Sequence, residues 1–171
     1  MLITDEYAAL NRQLHETNES YGVGGHKWAE QVRQFSEIFK ARSILDYGAG
    51  KRTLEYALTD LPVRSYDPAV PEIADGTLFA ADLVVCTDVL EHVEPELLDN
   101  VLDDLRALAL RGVFLVVATR PAVKFLADGR NAHLIQKPAE WWLEKIMSRW
   151  RLVNFSSVGG GEFVAVGQRL K

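Results

Sequence analysis

The sequence predicts an α/β fold: a three-layer sandwich whose sheet is mostly parallel and carries a C-terminal antiparallel hairpin strand. Three observations predict it. Short β-prone runs alternate with helix-period segments from residue 43 onward, the pattern of parallel strands joined by crossovers. The last two β-prone runs, "LVNFSSV" and "EFVAVGQRL", are separated only by "GGG", so they must pair as a hairpin. A glycine-bearing loop, "DYGAG", closes the first run, where a doubly wound sheet opens its ligand-binding edge.

The elements follow in order. The first 25 residues are polar and end in the turn "YGVGG". In "HKWAEQVRQFSEIFKA", Trp28, Val32, Phe35 and Phe39 recur at helical spacing, which predicts an amphipathic helix. "SILDY" is a short buried strand and "TLEYALTDL" the helix after it. "PVRSYD" is a second strand ending in an acid. "PAVPEIADGTLFA" carries two prolines and a glycine and reads as loop or broken structure. "ADLVVCTD" is the third strand. "EPELLDNVLDDLRALAL" is a helix with Leu97, Val101, Leu105 and Leu108 on one face. "GVFLVVAT" is the most strand-like run of all. "PAEWWLEKIMSRW" is a helix opened by Pro138. Its adjacent Trp141 and Trp142 cannot both face the core, and packing is their expected work. A chain of 171 residues suits one domain. Residues 1–40 are expected as a helical or lid segment and 41–171 as the core.

Composition narrows the class. No apolar run approaches the roughly 18–20 residues of a membrane span. The N-terminus shows no basic region ahead of an apolar stretch. Cys86 is the only cysteine, so no internal disulfide is possible. These features fit a cytoplasmic protein. The net charge is −5, yet residues 106–151 hold nine Lys or Arg against Asp128, Glu140 and Glu144. That basic stretch is either a solvated surface or a site for an anionic partner.

The loop admits three readings: a P-loop, a dinucleotide turn, and an S-adenosylmethionine loop. A P-loop fails on spacing, because position 45 is Leu and Arg52 separates Lys51 from Thr53. The dinucleotide fingerprint wants a third glycine where Thr53 stands. The rest of the chain decides. Asp46 ends the first strand, Asp67 ends the second 21 residues later, and "CTDVLEHVEP" ends the third. An acid at such a strand end accepts both hydroxyls of a ribose.

With these residues, the chain resembles the class I, Rossmann-like S-adenosylmethionine-dependent methyltransferases. "LDYGAG" is similar to their first motif, "YDP" to their second, and "ADLVVCTDVLEHV" to their fourth and its following turn. The resemblance implies S-adenosyl-L-methionine as cofactor. It implies that Tyr47, Gly48, Ala49 and Gly50 meet the methionine part, with Asp46 orienting the loop or meeting the amino group. It implies that Asp67, beside Pro68, holds the ribose. It implies that the turn Thr87, Asp88, Val89 and Leu90 flanks cofactor and acceptor, and that Tyr21 and Gly22 belong to a closing lid. Lys51 and Arg52 are expected to be bystanders at a helix start.

The cofactor carries the difficult chemistry, so the protein must mainly align an acceptor and help remove its proton. His92 and His133 are the candidate bases, because histidine titrates near neutral pH. Arg120 and Arg130 are candidates to clamp an acidic group on the acceptor. No metal-ligand cluster is read from the sequence.

The chain departs from the family pattern in one place. Only 14 residues separate Asp67 from Asp82, too few for a helix, a strand and another helix. The family's third strand is therefore expected to be shortened or missing, with Asp75 a substitute contact for adenine. Its loss exposes "PVRSYD" as an edge, open to cover by the N-terminal segment or to homodimer pairing. The expected function is methyl transfer to an oxygen, nitrogen or carboxylate of a small-molecule acceptor. The alternatives are a cofactor-binding module or regulatory subunit without transfer, and a nucleic-acid-modifying enzyme. Nucleic acid is not favoured, because "TDVLEH" lacks the prolines and aromatic that base-amine methyltransferases usually place there.

Overall fold

A computed structural model of the chain describes residues 1–74 and 79–170. The first helix, α1 (Asp5–Thr17), lies within the segment expected as helical or lid, where no periodicity marks it out. It starts where Thr4 caps it, the Thr4 hydroxyl accepting from the Tyr7 N–H at 3.2 Å. Asp5 and Glu6 in the first turn complement the helix dipole. The helix is polar on average, which masks the narrow stripe of Tyr7, Asn11 and Leu14 that it buries.

A 3₁₀ turn (Gly25–Trp28) leads into α2 (Ala29–Ile38), and β1 (Ile44–Tyr47) and α3 (Thr53–Ala57) follow. The helix expected to run to Leu61 stops at Ala57, because Leu58 leaves helical geometry (φ −117°, ψ 49°). Its side chain is buried in the same layer as Leu54. Then come β2 (Val63–Tyr66), α4 (Pro71–Ala74), β3 (Ala81–Thr87), α5 (Leu98–Leu108), β4 (Ala109–Ala118), α6 (Ala139–Met147), β5 (Trp150–Val158) and β6 (Glu162–Arg169).

Among the described residues the sheet has six strands in the order β2-β1-β3-β4-β6-β5. β1 runs parallel to β2 and β3, and β3 parallel to β4. β6 is antiparallel to both β4 and β5. The expected hairpin strand is therefore present. Between β2 and β3 the described residues hold one turn of helix and no strand, so β2 forms an edge. Asp75 lies outside the described residues.

Two helical layers cover the sheet. Trp28, Val32 and Leu54 pack with Ile44, Val85, Phe114 and Val116 on one face. Leu102, Leu105, Trp142 and Ile146 pack with Val84, Cys86, Leu115 and Val117 on the other. Residues of β4 alternate between these layers, which is why a strand buried on both faces reads as one apolar run. Trp142 is buried while Trp141 is only half-buried, as their adjacency requires. A third cluster, Tyr7, Leu14, Leu126 and Ala132, ties α1 to the long connection between β4 and α6. Among the described residues no helix is long and apolar enough to cross a membrane.

Candidate active site

The strand order reverses between β1 and β3, and the loops after β1, β2 and β3 meet at that switch point. The β1 loop is anchored to its neighbour strand: the N–H groups of Gly48 and Ala49 donate to the Tyr66 carbonyl at 2.8 and 3.0 Å. Gly48 (φ +79°) and Gly50 (φ +51°) both adopt left-handed backbone. A Cβ at Gly48 would overlap Val89, and one at Gly50 would stand 2.7 Å from the Gly22 backbone. Glycine is required twice over there, for conformation and for room.

Asp67 is buried at the end of β2. Its Oδ2 accepts from the Gly50 N–H at 2.9 Å and its Oδ1 from the Ala69 N–H at 2.9 Å. The buried carboxyl of Asp46 is pushed up to about 7, by burial first and then by the charges of Asp67 and Glu55. Asp88, after β3, holds a left-handed φ of 56°, uncommon outside glycine and frequent at functional turns. Burial, then Glu162, raises its carboxyl to about 6.

The N-terminal segment is fastened across these loops. The Lys51 N–H donates to the Gly22 carbonyl at 2.9 Å. Lys51 Nζ donates to the carbonyls of Asn18 and Glu19 at 3.0 and 2.9 Å. Lys51 is therefore no bystander; it ties the end of α1 to the glycine loop. The Thr53 hydroxyl donates to the Val23 carbonyl at 3.1 Å. At the far end, Thr4 donates through its N–H and hydroxyl to the Glu94 carboxylate at 2.9 and 2.7 Å. The Tyr7 hydroxyl donates to the His92 carbonyl.

These segments line a cavity of about 360 Å³. Asp46, Tyr47, Gly48, Ala49 and Gly50 line it, with Asp67, Pro68, Thr87, Asp88 and Val89, and so do Tyr21, Gly22, His92, Arg120 and His133. Two expected residues are not part of this lining. Leu90 is fully buried and turned into the α5–α6 layer, as an apolar side chain beside a strand end prefers. Arg130 pairs with Asp128 at 2.7 Å on the surface. His15, Lys27, Glu94 and Lys124 line the cavity although nothing in their local sequence marks them. They arrive through α1 and the long loops, whose positions depend on tertiary contacts.

The cavity has two chemically different ends. Asp46, Asp67 and the glycines form an acidic, backbone-rich end. His92 and His133 form the other, their rings edge to face with centroids 4.7 Å apart. His133 Nδ1 lies 2.6 Å from the Arg120 carbonyl, which assigns its proton there and leaves Nε2 as a lone pair. Burial, then His133, pushes the His92 imidazole down to about 3. Burial also lowers His133. Both rings are neutral near pH 7. Beside them Glu91 is fully buried. Its Oε1 accepts from the Ala118 N–H at 3.0 Å, while its Oε2 is buried without a partner among the described residues. Its only mark in the sequence is adjacency to His92.

No protein-family model and no curated protein sequence matches the chain. Solved structures do match. The 1,6-didemethyltoxoflavin-N1-methyltransferase of Burkholderia thailandensis, solved with 1,6-didemethyltoxoflavin and S-adenosylhomocysteine, superposes with a TM-score of 0.68 at 16% identity, over 97% of this chain and 90% of that one. The N-methyltransferase NodS of Bradyrhizobium japonicum, with S-adenosylhomocysteine, gives 0.64 at 12% identity, over 96% and 100%. An O-methyltransferase family protein of Burkholderia thailandensis gives 0.59 at 16% identity, over 83% of this chain and 57% of that one. The chain has the fold of the class I S-adenosylmethionine-dependent methyltransferases.

Proposed function

We propose that the chain is an S-adenosylmethionine-dependent methyltransferase acting on an oxygen, nitrogen or carboxylate of a small acceptor. One observation carries this reading: Asp46–Gly50, Asp67 and Thr87–Val89 line a single cavity at the switch point. The shared fold supports it, since neighbours with that fold were solved holding S-adenosylhomocysteine.

The residues fit the cofactor. Gly48 and Gly50 place no Cβ at the two positions where the loop turns through left-handed backbone. Asp67 retains a lone pair on each oxygen beyond its bonds to Gly50 and Ala69, enough for ribose hydroxyls. Asp46, with its carboxyl raised to about 7, would ionise beside a cationic amino group. An adjoining groove of about 350 Å³ shares Gly50 and Ala69 and runs between Arg12, His15, Glu16 and residues 70–73. It suits the base, since among the described residues no strand follows β2 before β3.

When bound, S-adenosylmethionine supplies a methyl group already activated by a sulfonium. The protein's share is alignment, exclusion of water and proton management. Tyr21 and Gly22 close the cavity from the N-terminal side. His133 stands at the acceptor end with a neutral imidazole whose Nε2 lone pair can take a proton. The His92 ring, pushed down to about 3 by burial, is too weak a base for the role its sequence suggested. Lys27, Arg120 and Lys124 in the lining favour an acceptor with an anionic group. A cavity of this size, walled on one side by Tyr7, Asn11 and His15 of α1, favours a small molecule over nucleic acid.

The test is release of S-adenosylhomocysteine with a panel of phenols, carboxylates and amines. Acceptor-dependent release supports the proposal. Tight cofactor binding with no product from any acceptor would support a binding module instead.

A further inference from the structure

Among the described residues, Glu91, His92 and His133 each offer one ligand atom, and the three atoms lie within 4.8 Å of one another. From this convergence we infer that they form a site for one divalent transition-metal ion, at the acceptor end of the cavity.

Three observations carry the inference beyond proximity. First, Glu91 Oε2 is fully buried and has no hydrogen-bond partner among the described residues, an uncommon state for a carboxyl oxygen. A cation is the partner that such an oxygen lacks. The other oxygen, Oε1, is held by the Ala118 N–H at 3.0 Å, which fixes the carboxylate's direction. Second, His133 is oriented as metal-bound histidines are: Nδ1 donates to a backbone carbonyl, that of Arg120, and Nε2 keeps its lone pair. Third, His92 has a weaker contact of the same kind. The Tyr21 hydroxyl gives its own proton to Asn11 Oδ1 at 3.1 Å and stands 3.4 Å from His92 Nδ1, with an oxygen lone pair to accept from it.

The donor set names the metal class. Two imidazoles and one carboxylate suit Zn²⁺, Mn²⁺, Fe²⁺ or Co²⁺ better than Ca²⁺ or Mg²⁺. Two ligands about 2.1 Å from one ion stand at most about 4.2 Å apart, so small side-chain rotations close the set. Three protein ligands leave coordination positions open. His92 and His133 also line the cavity, so an open position faces the acceptor. What the ion does there rests on the methyltransferase reading. It coordinates an acceptor hydroxyl, the metal–oxygen bond forms, the O–H bond breaks and the proton passes to water. The two imidazoles then hold the ion, and the ion replaces a side-chain base.

The test is calorimetry on EDTA-stripped protein with Co²⁺ and Zn²⁺. The expected result is one ion per chain, bound at least tenfold more weakly by Glu91→Gln and by His133→Gln. An unchanged thermal melt marks the variants as folded. Should they unfold, the wild type gives a second readout: substoichiometric Mn²⁺ should broaden the NMR signals of His92 and His133 before that of exposed His26. No stoichiometric binding, equal affinity in the folded variants, or broadening that begins at His26 overturns the site. If the metal binds but S-adenosylmethionine does not, the site stands and the methyltransferase reading falls. The reverse result removes the site alone.

Discussion

The Gly50 N–H donates to the Asp67 carboxylate at 2.9 Å, so the loop after β1 is tied to the end of β2. The second oxygen of Asp67 turns the chain by accepting from Ala69. One carboxylate thus shapes both walls of the acidic end before any ligand arrives. Asp67→Ala should strip two buried N–H groups of their acceptor and cost about 1–3 kcal/mol of stability. It should also weaken S-adenosylmethionine at least tenfold by calorimetry. Asp67→Asn keeps an acceptor oxygen and should recover part of the stability but less of the affinity.

Gly50 carries a second constraint. Its α-carbon faces Gly22 so closely that a methyl group would fall 2.7 Å from the Gly22 backbone. Gly50→Ala should therefore displace the N-terminal segment, beyond the strain that its positive φ imposes. Hydrogen exchange should show lost protection at residues 18–25. A variant with unchanged exchange and unchanged cofactor affinity would contradict this packing.

Lys51 should act on opening rather than on global stability. Its ammonium bonds the last carbonyls around the α1 terminus. Lys51→Met should leave the thermal midpoint nearly unchanged, since neutralising a partly exposed hydrogen-bonding group costs about 1 kcal/mol. Exchange of the amides near Tyr21 should quicken by about fivefold, the equivalent of that energy. Bound cofactor should leave faster in stopped-flow experiments.

Asp46 predicts a pH dependence. Its carboxyl is raised to about 7 in the folded chain, from an ordinary value near 4 in the unfolded chain. Between those values the folded state binds more protons, so this group's contribution to stability falls as pH rises, by about 1.4 kcal/mol per unit, and levels above 7. Binding of a cationic amino group has the opposite dependence. It requires the ionised form, so affinity should fall roughly tenfold per unit below pH 7. Asp46→Asn should flatten both profiles.

The parts of this fold legible from sequence are those that local physics dictates. β4 is continuous in sequence because Phe114 and Val116 face one layer while Leu115 and Val117 face the other. The hairpin follows from three glycines that no crossover can span. That the described residues hold no strand between β2 and β3 follows from the 14 residues between Asp67 and Asp82. Asp46, the glycines and Asp67 could be expected to meet at one edge because strand ends are set locally, and they line one cavity. Other features depend on distant partners. α1 is polar, and its buried stripe finds its partners at Leu126 and Ala132. Lys51 gains its role only when the Asn18 and Glu19 carbonyls come within reach. Glu91 looks like any acid in a turn until Ala118 and His133 surround it. Arg130 differs, since its partner is local: it pairs with Asp128, two residues away.

The most direct measurement is titration of S-adenosylmethionine into the intact chain, followed by calorimetry at pH 8, where Asp46 is ionised. The account predicts one cofactor per chain, with an affinity in the micromolar range and at least tenfold weaker binding by Asp67→Ala. Absence of saturable binding at millimolar cofactor, or equal binding by that variant, would contradict it.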